Sequence, residues 1–131
     1  MAYRIYLTDD DRFLVDLYAL KFKSTGHDVT SFGGGEELIA ALRKGGERPD
    51  AILLDIIMPG LDGFDTLDAI RKEGFAKDVP IIMLTNQGNE SDVEKARARN
   101  VAGYIIKASA IPSEVVSETE HIIENFSKRQ S

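Results

Sequence analysis

The chain has 131 residues, of which 43% are hydrophobic and 29% are charged, and this length and composition predict one soluble globular domain. Its net charge of −6 argues against a direct nucleic-acid surface, which would be basic, and no apolar stretch approaches the ~20 residues of a membrane span. The chain has no cysteine, so disulfides, thiolate metal sites and cysteine nucleophiles are excluded, and the cytoplasm is the simplest location.

Strand-like and helix-like segments alternate five times along the chain. Short apolar or β-branched runs predict strands at residues 3–8, 28–32, 51–55, 80–85 and 103–107. Helical spacing of apolar residues predicts helices at residues 12–24, 36–44, 64–73, 90–99 and 112–126. A frayed polar tail is expected to follow the last helix at residues 127–131.

This alternation predicts an α/β fold, in which parallel strands form one sheet with right-handed crossovers and with helices on both faces. The first helix is indicated by the spacing of Phe13, Leu14, Leu17 and Tyr18. No linker, repeat or low-complexity segment interrupts the pattern. We therefore expect residues 1–131 to form a single domain without an output domain.

Acidic side chains follow the first and third predicted strands. Asp55 ends the apolar run 51–54, and the Pro-Gly and Asp-Gly pairs that follow force a turn, which places this carboxylate at the carboxyl end of a buried strand. Ligands of open α/β sheets bind at that edge. Asp9, Asp10 and Asp11 follow the first strand. Asp11 is explained as a helix cap, but three adjacent acids repel one another unless a cation such as Mg²⁺ lies nearby.

Thr85 and Lys107 end the fourth and fifth predicted strands. Each has an ordinary explanation, since a strand-end threonine is commonly a packing or turn residue and a strand-end lysine is commonly a solvated charge. At the same sheet edge as Asp55, however, a hydroxyl and an ammonium group can stabilise the dispersed charge of a phosphoryl transition state. With Mg²⁺ bound, Asp55 can act as an oxygen nucleophile and form an aspartyl phosphate.

These motifs resemble the receiver domains of two-component response regulators. The resemblance covers almost the whole chain and is carried by four segments at strand ends: Asp9-Asp10, Leu54 to Gly63, Leu84-Thr85 and Gly103 to Lys107. The successive intervals between Asp10, Asp55, Thr85 and Lys107 are 45, 30 and 22 positions, which match those of the family. The resemblance implies a five-stranded parallel sheet in the order 2-1-3-4-5.

The resemblance also implies a magnesium site where the strand order reverses. Asp10 and Asp55 would ligate Mg²⁺ directly, Asp9 would do so largely through water, and Ile57 would contribute its backbone carbonyl. Asp55 would accept a phosphoryl group from the phosphohistidine of a sensor histidine kinase or phosphotransfer protein, or from a small donor such as acetyl phosphate.

By the same resemblance, Thr85 and Lys107 would bind the phosphoryl oxygens, and Tyr104 on the fifth strand would turn inward with Thr85. The face formed by the fourth helix, the fifth strand and the fifth helix would then bind an unidentified downstream protein. The chain would be a signalling switch that promotes its own phosphorylation and dephosphorylation, rather than an enzyme, and would contact neither nucleic acid nor a membrane.

Two residues depart from the family pattern. Ala108 follows Lys107 where the family usually has proline, and a cis bond before alanine costs about 3 kcal/mol, so we expect a trans bond. Ile57, two positions after Asp55, is apolar where many relatives are polar, which changes how water reaches the phosphorylated aspartate.

Two alternative functions stay open. A haloacid-dehalogenase-like phosphatase also uses a strand-end aspartate and Mg²⁺, but it needs a second aspartate at position 57, which here is isoleucine. A receiver-like module that only binds partners would not need the acidic cluster.

The glycines at 33–35 lack a phosphate-loop pattern and are interpreted as a turn, and the isolated His27 suggests no chemistry.

Overall fold

Five parallel strands form one sheet in the computed structural model, which describes residues 2–86 and 88–130. The strands are β1 (Arg4–Thr8), β2 (Asp28–Phe32), β3 (Ala51–Asp55), β4 (Ile81–Thr85) and β5 (Gly103–Ile106). The helices are α1 (Arg12–Ser24), α2 (Gly35–Lys44), α3 (Gly63–Lys72), α4 (Glu90–Ala98) and α5 (Pro112–Gln130), with a short 3₁₀ helix at Lys107–Ser109.

The strands lie in the order β2-β1-β3-β4-β5, and each neighbouring pair is parallel, which confirms the predicted topology. The chain runs from β1 to one edge of the sheet and then returns past β1 to β3. The strand order therefore reverses between β1 and β3, and in open α/β sheets the ligand-binding crevice lies at the carboxyl ends of the strands at this point. Thr8 is paired with Leu54, so the residues that follow them, Asp9 and Asp55, lie side by side at the carboxyl edge of the sheet.

Successive strand residues face opposite sides of the sheet, and two core clusters result. One cluster joins the strands to α1 and α5 and includes Ile5, Leu53, Leu84, Phe22 and Val115. The other joins the strands to α2, α3 and α4 and includes Ile52, Met83, Leu38, Leu67 and Ala96. Every residue of β3 and β4 is buried, because these two strands are covered by helices on both sides.

The buried face of α1 differs from the one that its apolar spacing suggested. Val15, Tyr18 and Phe22 are buried, whereas Phe13 and Leu17 are 73% and 38% exposed. Apolar side chains occur on two faces of this helix, so the helical period alone did not identify the face that packs against the sheet.

The prediction of a frayed tail at residues 127–131 is wrong for 127–130, because α5 continues to Gln130; residue 131 lies outside the described residues. No glycine or proline interrupts this segment, so helical hydrogen bonding continues beyond the last core contacts, at Ile122 and Ile123. Among the helices of the described residues, none is both long enough and apolar enough to cross a membrane.

His27 lies in the turn between α1 and β2, and its side chain is buried. Its Nδ1 accepts a hydrogen bond from the Tyr3 backbone N–H at 3.0 Å, and its Nε2 lies 2.8 Å from Glu120 Oε2. The imidazole stacks on Tyr3 and meets Phe22 edge-on. It therefore joins the start of β1 to α1 and α5 at the amino end of the sheet, a structural role that its sequence position did not reveal.

Candidate functional site

Three carboxylates converge at the carboxyl ends of β1 and β3. One carboxylate oxygen from each of Asp9, Asp10 and Asp55 lies within 4.8 Å of the others. Asp9 and Asp55 are buried, with 1% and 4% of their surface exposed, whereas Asp10 is exposed. The structure thus brings the three predicted acids together in a crevice that meets solvent at Asp10.

Lys107 reaches the same crevice from the end of β5. Its Nζ lies 2.8 Å from Asp9 Oδ2 and 3.2 Å from Asp55 Oδ1, and its side chain is almost completely buried. The prediction that Lys107 is a strand residue is wrong, because β5 ends at Ile106 and Lys107 begins the 3₁₀ helix. No peptide bond between described residues is cis, so the bond from Lys107 to Ala108 is trans, as expected.

The charges in this crevice perturb one another strongly. Burial, followed by the neighbouring Asp9 carboxylate, raises the pKa of Asp55 to about 7, although the Lys107 ammonium acts in the opposite direction. Burial alone would lower the pKa of Lys107, but its hydrogen bond to Asp9 and the charges of both acids outweigh burial and raise this pKa. Lys107 therefore stays charged, and it partly compensates two buried acids.

The contacts of Asp9 distinguish it from the other two acids. Its Oδ1 accepts a hydrogen bond from the Asp11 N–H at 2.9 Å, and its Oδ2 binds Lys107, so protein groups bind both oxygens. Asp11 caps α1 by accepting a hydrogen bond from the Leu14 N–H, as predicted. Three carboxylates at this spacing fit the oxygen ligands that Mg²⁺ prefers, and Asp10 is the one that reaches solvent.

The loop after β3 stays close to the backbone of Asp55. The Gly63 N–H donates a hydrogen bond to the Ile56 carbonyl at 2.7 Å, and a Cβ atom on Gly63 would overlap the Asp55 carbonyl oxygen, so this position requires glycine. Ile57 lies in the same loop with 69% of its surface exposed. The contribution of its backbone carbonyl to a metal site stays a prediction.

Thr85 and Tyr104 lie on the two strands beyond β3. Thr85 ends β4 and is buried, and Tyr104 on β5 is paired with Met83 and packs against the core cluster on the α2, α3 and α4 side. Burial raises the pKa of Tyr104, and the side chain of Thr85 acts in the opposite direction, so the two side chains are close enough to interact. Their roles in a switch, like the catalytic roles of Asp55 and Lys107, stay predictions.

The chain is similar to the members of one protein family. The family model for the response regulator receiver domain matches residues 5–117. The DNA-binding response regulator MtrA of Mycobacterium tuberculosis is 32% identical over 117 residues, which cover 89% of this chain and 49% of MtrA. The chain spans about half the length of such relatives.

Solved structures share the fold. Chemotaxis protein CheY4 of Vibrio cholerae superposes with a TM-score of 0.83 at 23% identity, and the match covers 93% of this chain and 99% of that one. NtrX of Brucella abortus gives a TM-score of 0.86 at 26% identity, and that match covers 99% of this chain and 28% of NtrX.

Proposed function

The chain belongs to the response regulator receiver domain family, and we propose that Asp55 is the residue that accepts its phosphoryl group. The observation that carries this proposal is the position of Lys107 Nζ between Asp9 and Asp55, in a crevice that also contains Asp10. A buried lysine beside a strand-end carboxylate supplies positive charge where the oxygens of a transferred phosphoryl group would lie.

Transfer requires an ionised oxygen of Asp55 in line with the phosphorus of the donor. The new O–P bond forms as the bond between phosphorus and the leaving atom breaks, and the donor keeps that electron pair on the imidazole nitrogen of phosphohistidine or on the acetate oxygen of acetyl phosphate. Mg²⁺ held by Asp10 and Asp55 would neutralise charge on the phosphoryl oxygens. Burial raises the pKa of Asp55 to about 7, which disfavours its ionised form. The ammonium group of Lys107 acts in the opposite direction and so helps to keep the nucleophile ionised.

Phosphorylation would change the partners of Lys107 and Thr85. It converts one Asp55 oxygen into an acyl phosphate oxygen and brings about two negative charges close to Lys107 Nζ. Lys107 then pairs with the phosphoryl group, and the Thr85 hydroxyl donates a hydrogen bond to one of its oxygens. Movement of Thr85 alters its contact with Tyr104, which biases the equilibrium between two arrangements of the segment that leads to α4.

The proposed donor is a sensor histidine kinase or a phosphotransfer protein, and the proposed output is contact between a downstream protein and the face made by α4, β5 and α5. We place this exchange in the cytoplasm and assign the chain no phosphatase activity toward other substrates. The net charge of −6 disfavours direct contact with nucleic acid. MtrA is described as DNA-binding, but the match covers 49% of its length, so this property is not transferred.

The proposal is tested by incubating the protein with acetyl phosphate and Mg²⁺ and measuring intact mass. The wild type should gain one phosphoryl group, Asp55→Asn should gain none, and Asp62→Asn, which alters another acid in the same loop, should behave like the wild type. Labelling that persists in Asp55→Asn would place the acceptor elsewhere.

Phosphoryl labelling and a phosphatase assay together separate the two alternatives. A module that only binds partners would remain unlabelled with acetyl phosphate and with autophosphorylated histidine kinases. A phosphatase would release phosphate catalytically from p-nitrophenyl phosphate in the presence of Mg²⁺, whereas a receiver domain would not. Ile57 occupies the position at which such a phosphatase needs its acid/base, and the isoleucine side chain cannot transfer a proton.

A further inference from the structure

Helix α4 is attached unevenly to the rest of the protein. Of its nine residues, all of which the structure describes, only Ala96 near the carboxyl end is buried, whereas α1, α2 and α3 each bury at least three residues. In the first turns, Glu90, Ser91 and Glu94 are exposed. Little apolar surface therefore fixes the amino-terminal end of α4 to the sheet.

The carboxyl-terminal end of α4 is anchored by Arg99, the residue that follows the helix. Its Nε and Nη2 donate hydrogen bonds to the two carboxylate oxygens of Asp68 on α3, at 2.9 and 3.1 Å. Its guanidinium carbon lies 4.9 Å from the centre of the Phe64 ring, one helical turn earlier on α3. Its Nη1 donates to the Lys95 carbonyl at 3.1 Å. One planar side chain thus joins the last turn of α4 to two positions on α3.

The amino-terminal end of α4 is connected instead to the phosphoryl site. Three residues separate Thr85 from Asn89, which caps α4 by accepting a hydrogen bond from the Asp92 N–H at 2.8 Å. Within this short link, Gly88 passes so close to Ile106 on β5 that a Cβ atom there would lie 2.6 Å from the Ile106 side chain. A displacement of Thr85 therefore reaches α4 at its amino-terminal end first.

We propose that Arg99 holds the carboxyl-terminal end of α4 against α3 in both states of the switch. Helix α4 then pivots about this end, and the phosphoryl-dependent change is confined to its amino-terminal half. This inference rests on the proposed phosphorylation switch and adds the contact that directs it. A nine-residue helix is about 13 Å long, so rotation about one end displaces the other end most. Arg99 touches no reacting atom and is a positioning residue. The surface that a partner distinguishes would then be the start of α4 together with β5.

The experiment compares backbone amide hydrogen exchange with and without Mg²⁺ and beryllofluoride, a mimic of the phosphoryl group, in the full chain. In the wild type, the mimic should change exchange in residues 85–94 and leave residues 96–100 unchanged. In Asp68→Asn and Arg99→Gln, the change should spread to residues 96–100. There, the exchange rates measured with and without the mimic should differ by about two- to fivefold, the range that the loss of one exposed ion pair supports. Labelling of both variants by acetyl phosphate should match the wild type.

The matched control is Arg43→Gln. It breaks another two-oxygen ion pair, in which Arg43 Nη2 lies 3.0 and 2.9 Å from the Glu73 oxygens, but this pair joins α2 to α3. Its exchange pattern with the mimic should equal that of the wild type. Arg99→Lys keeps the positive charge but loses the two parallel hydrogen bonds to Asp68. In this variant, the mimic should change exchange at residues 96–100 by less than it does in Arg99→Gln. If Arg99→Gln does not fold, Arg99→Lys replaces it in the test.

Three results would overturn the proposal. The first is a wild-type response that already includes residues 96–100, and the second is an unchanged pattern in Asp68→Asn and Arg99→Gln. The third is a uniform rise in exchange throughout either variant, which would indicate a merely structural role. If the mimic changes nothing in the wild type, although Asp55 is labelled, the proposed switch itself is wrong and the pivot with it.

Discussion

Replacing Asp55 with asparagine should stabilise the metal-free protein at pH 8. Burial and the nearby Asp9 carboxylate raise the pKa of Asp55 from 3.8 to about 7. A difference of this size corresponds to about 4 kcal/mol that disfavours the ionised form in the folded state. Asparagine has a similar size and no charge, but it loses the ion pair with Lys107. We therefore expect the free energy of unfolding to rise by about 1–3 kcal/mol.

This gain should depend on pH in one direction. The pKa of Asp55 is higher in the folded state than in the unfolded state, so protonation of this group favours folding. Its contribution is fully present below about pH 4 and is lost as the pH rises through about 7. The difference in stability between Asp55→Asn and the wild type should therefore be small near pH 4 and largest near pH 8.

The assay is urea unfolding at several pH values, followed by circular dichroism, at low ionic strength and with EDTA to remove divalent cations. Asp16→Asn, which removes an exposed carboxylate on α1, is the control and should change stability by less than about 0.5 kcal/mol. If Asp55→Asn is less stable than the wild type at pH 8, or if the difference does not grow with pH, Asp55 acts as a structural hydrogen-bond acceptor and the reasoning fails.

Three further outcomes are expected. Millimolar Mg²⁺ should raise the melting temperature of the wild type by mass action, and Asp10→Asn should reduce this rise; an unmoved wild type would contradict the metal site. Lys107→Ala should lower the free energy of unfolding by about 3 kcal/mol at pH 8, because two buried acids lose their cation. This variant should retain some labelling by acetyl phosphate but show a weaker NMR response of Thr85 to beryllofluoride. A full response would contradict the role of Lys107 in the switch. Ile57→Asn should shorten the lifetime of the aspartyl phosphate after acetyl phosphate is removed, because an exposed amide beside the acceptor can bind water; an equal or longer lifetime would refute this.

The position of the acids could be predicted because it follows from local patterns. A continuous apolar run and the turn residues after it identify β3 and its end at Asp55, and the strand–helix alternation places the carboxyl ends of all strands at one edge. The contact between Lys107 and Asp9 joins residues 98 positions apart. The sequence assigned both residues to the same edge, but only the packed structure fixes the distance and the burial that set the pKa of Asp55.

The features that could not be predicted depend on competition between distant partners. Both faces of α1 carry apolar side chains, and the sheet selects the one with Val15 and Phe22, so Phe13 stays exposed. His27 is buried and contacts Glu120, which comes from the last helix, so no local pattern in the sequence indicates this contact. Lys107 was assigned to β5 because it follows an apolar run, whereas the backbone tightens there into the 3₁₀ helix.

The site is destabilised in its resting form, and in the proposed mechanism this instability connects cation binding to the switch. Asp55 is buried as an acid whose ionised form is disfavoured, and Lys107 compensates it only in part while it also binds Asp9. A cation bound at the carboxylates would relieve the unfavourable charge and favour the ionised form of Asp55. Phosphorylation of Asp55, as proposed, would remove its carboxylate and give Lys107 a new anionic partner, so the ammonium group would keep a buried counter-charge in both states. In the proposed mechanism, the free energy that disfavours the resting carboxylate would therefore favour cation binding and the rearrangement of Thr85, Tyr104 and the start of α4.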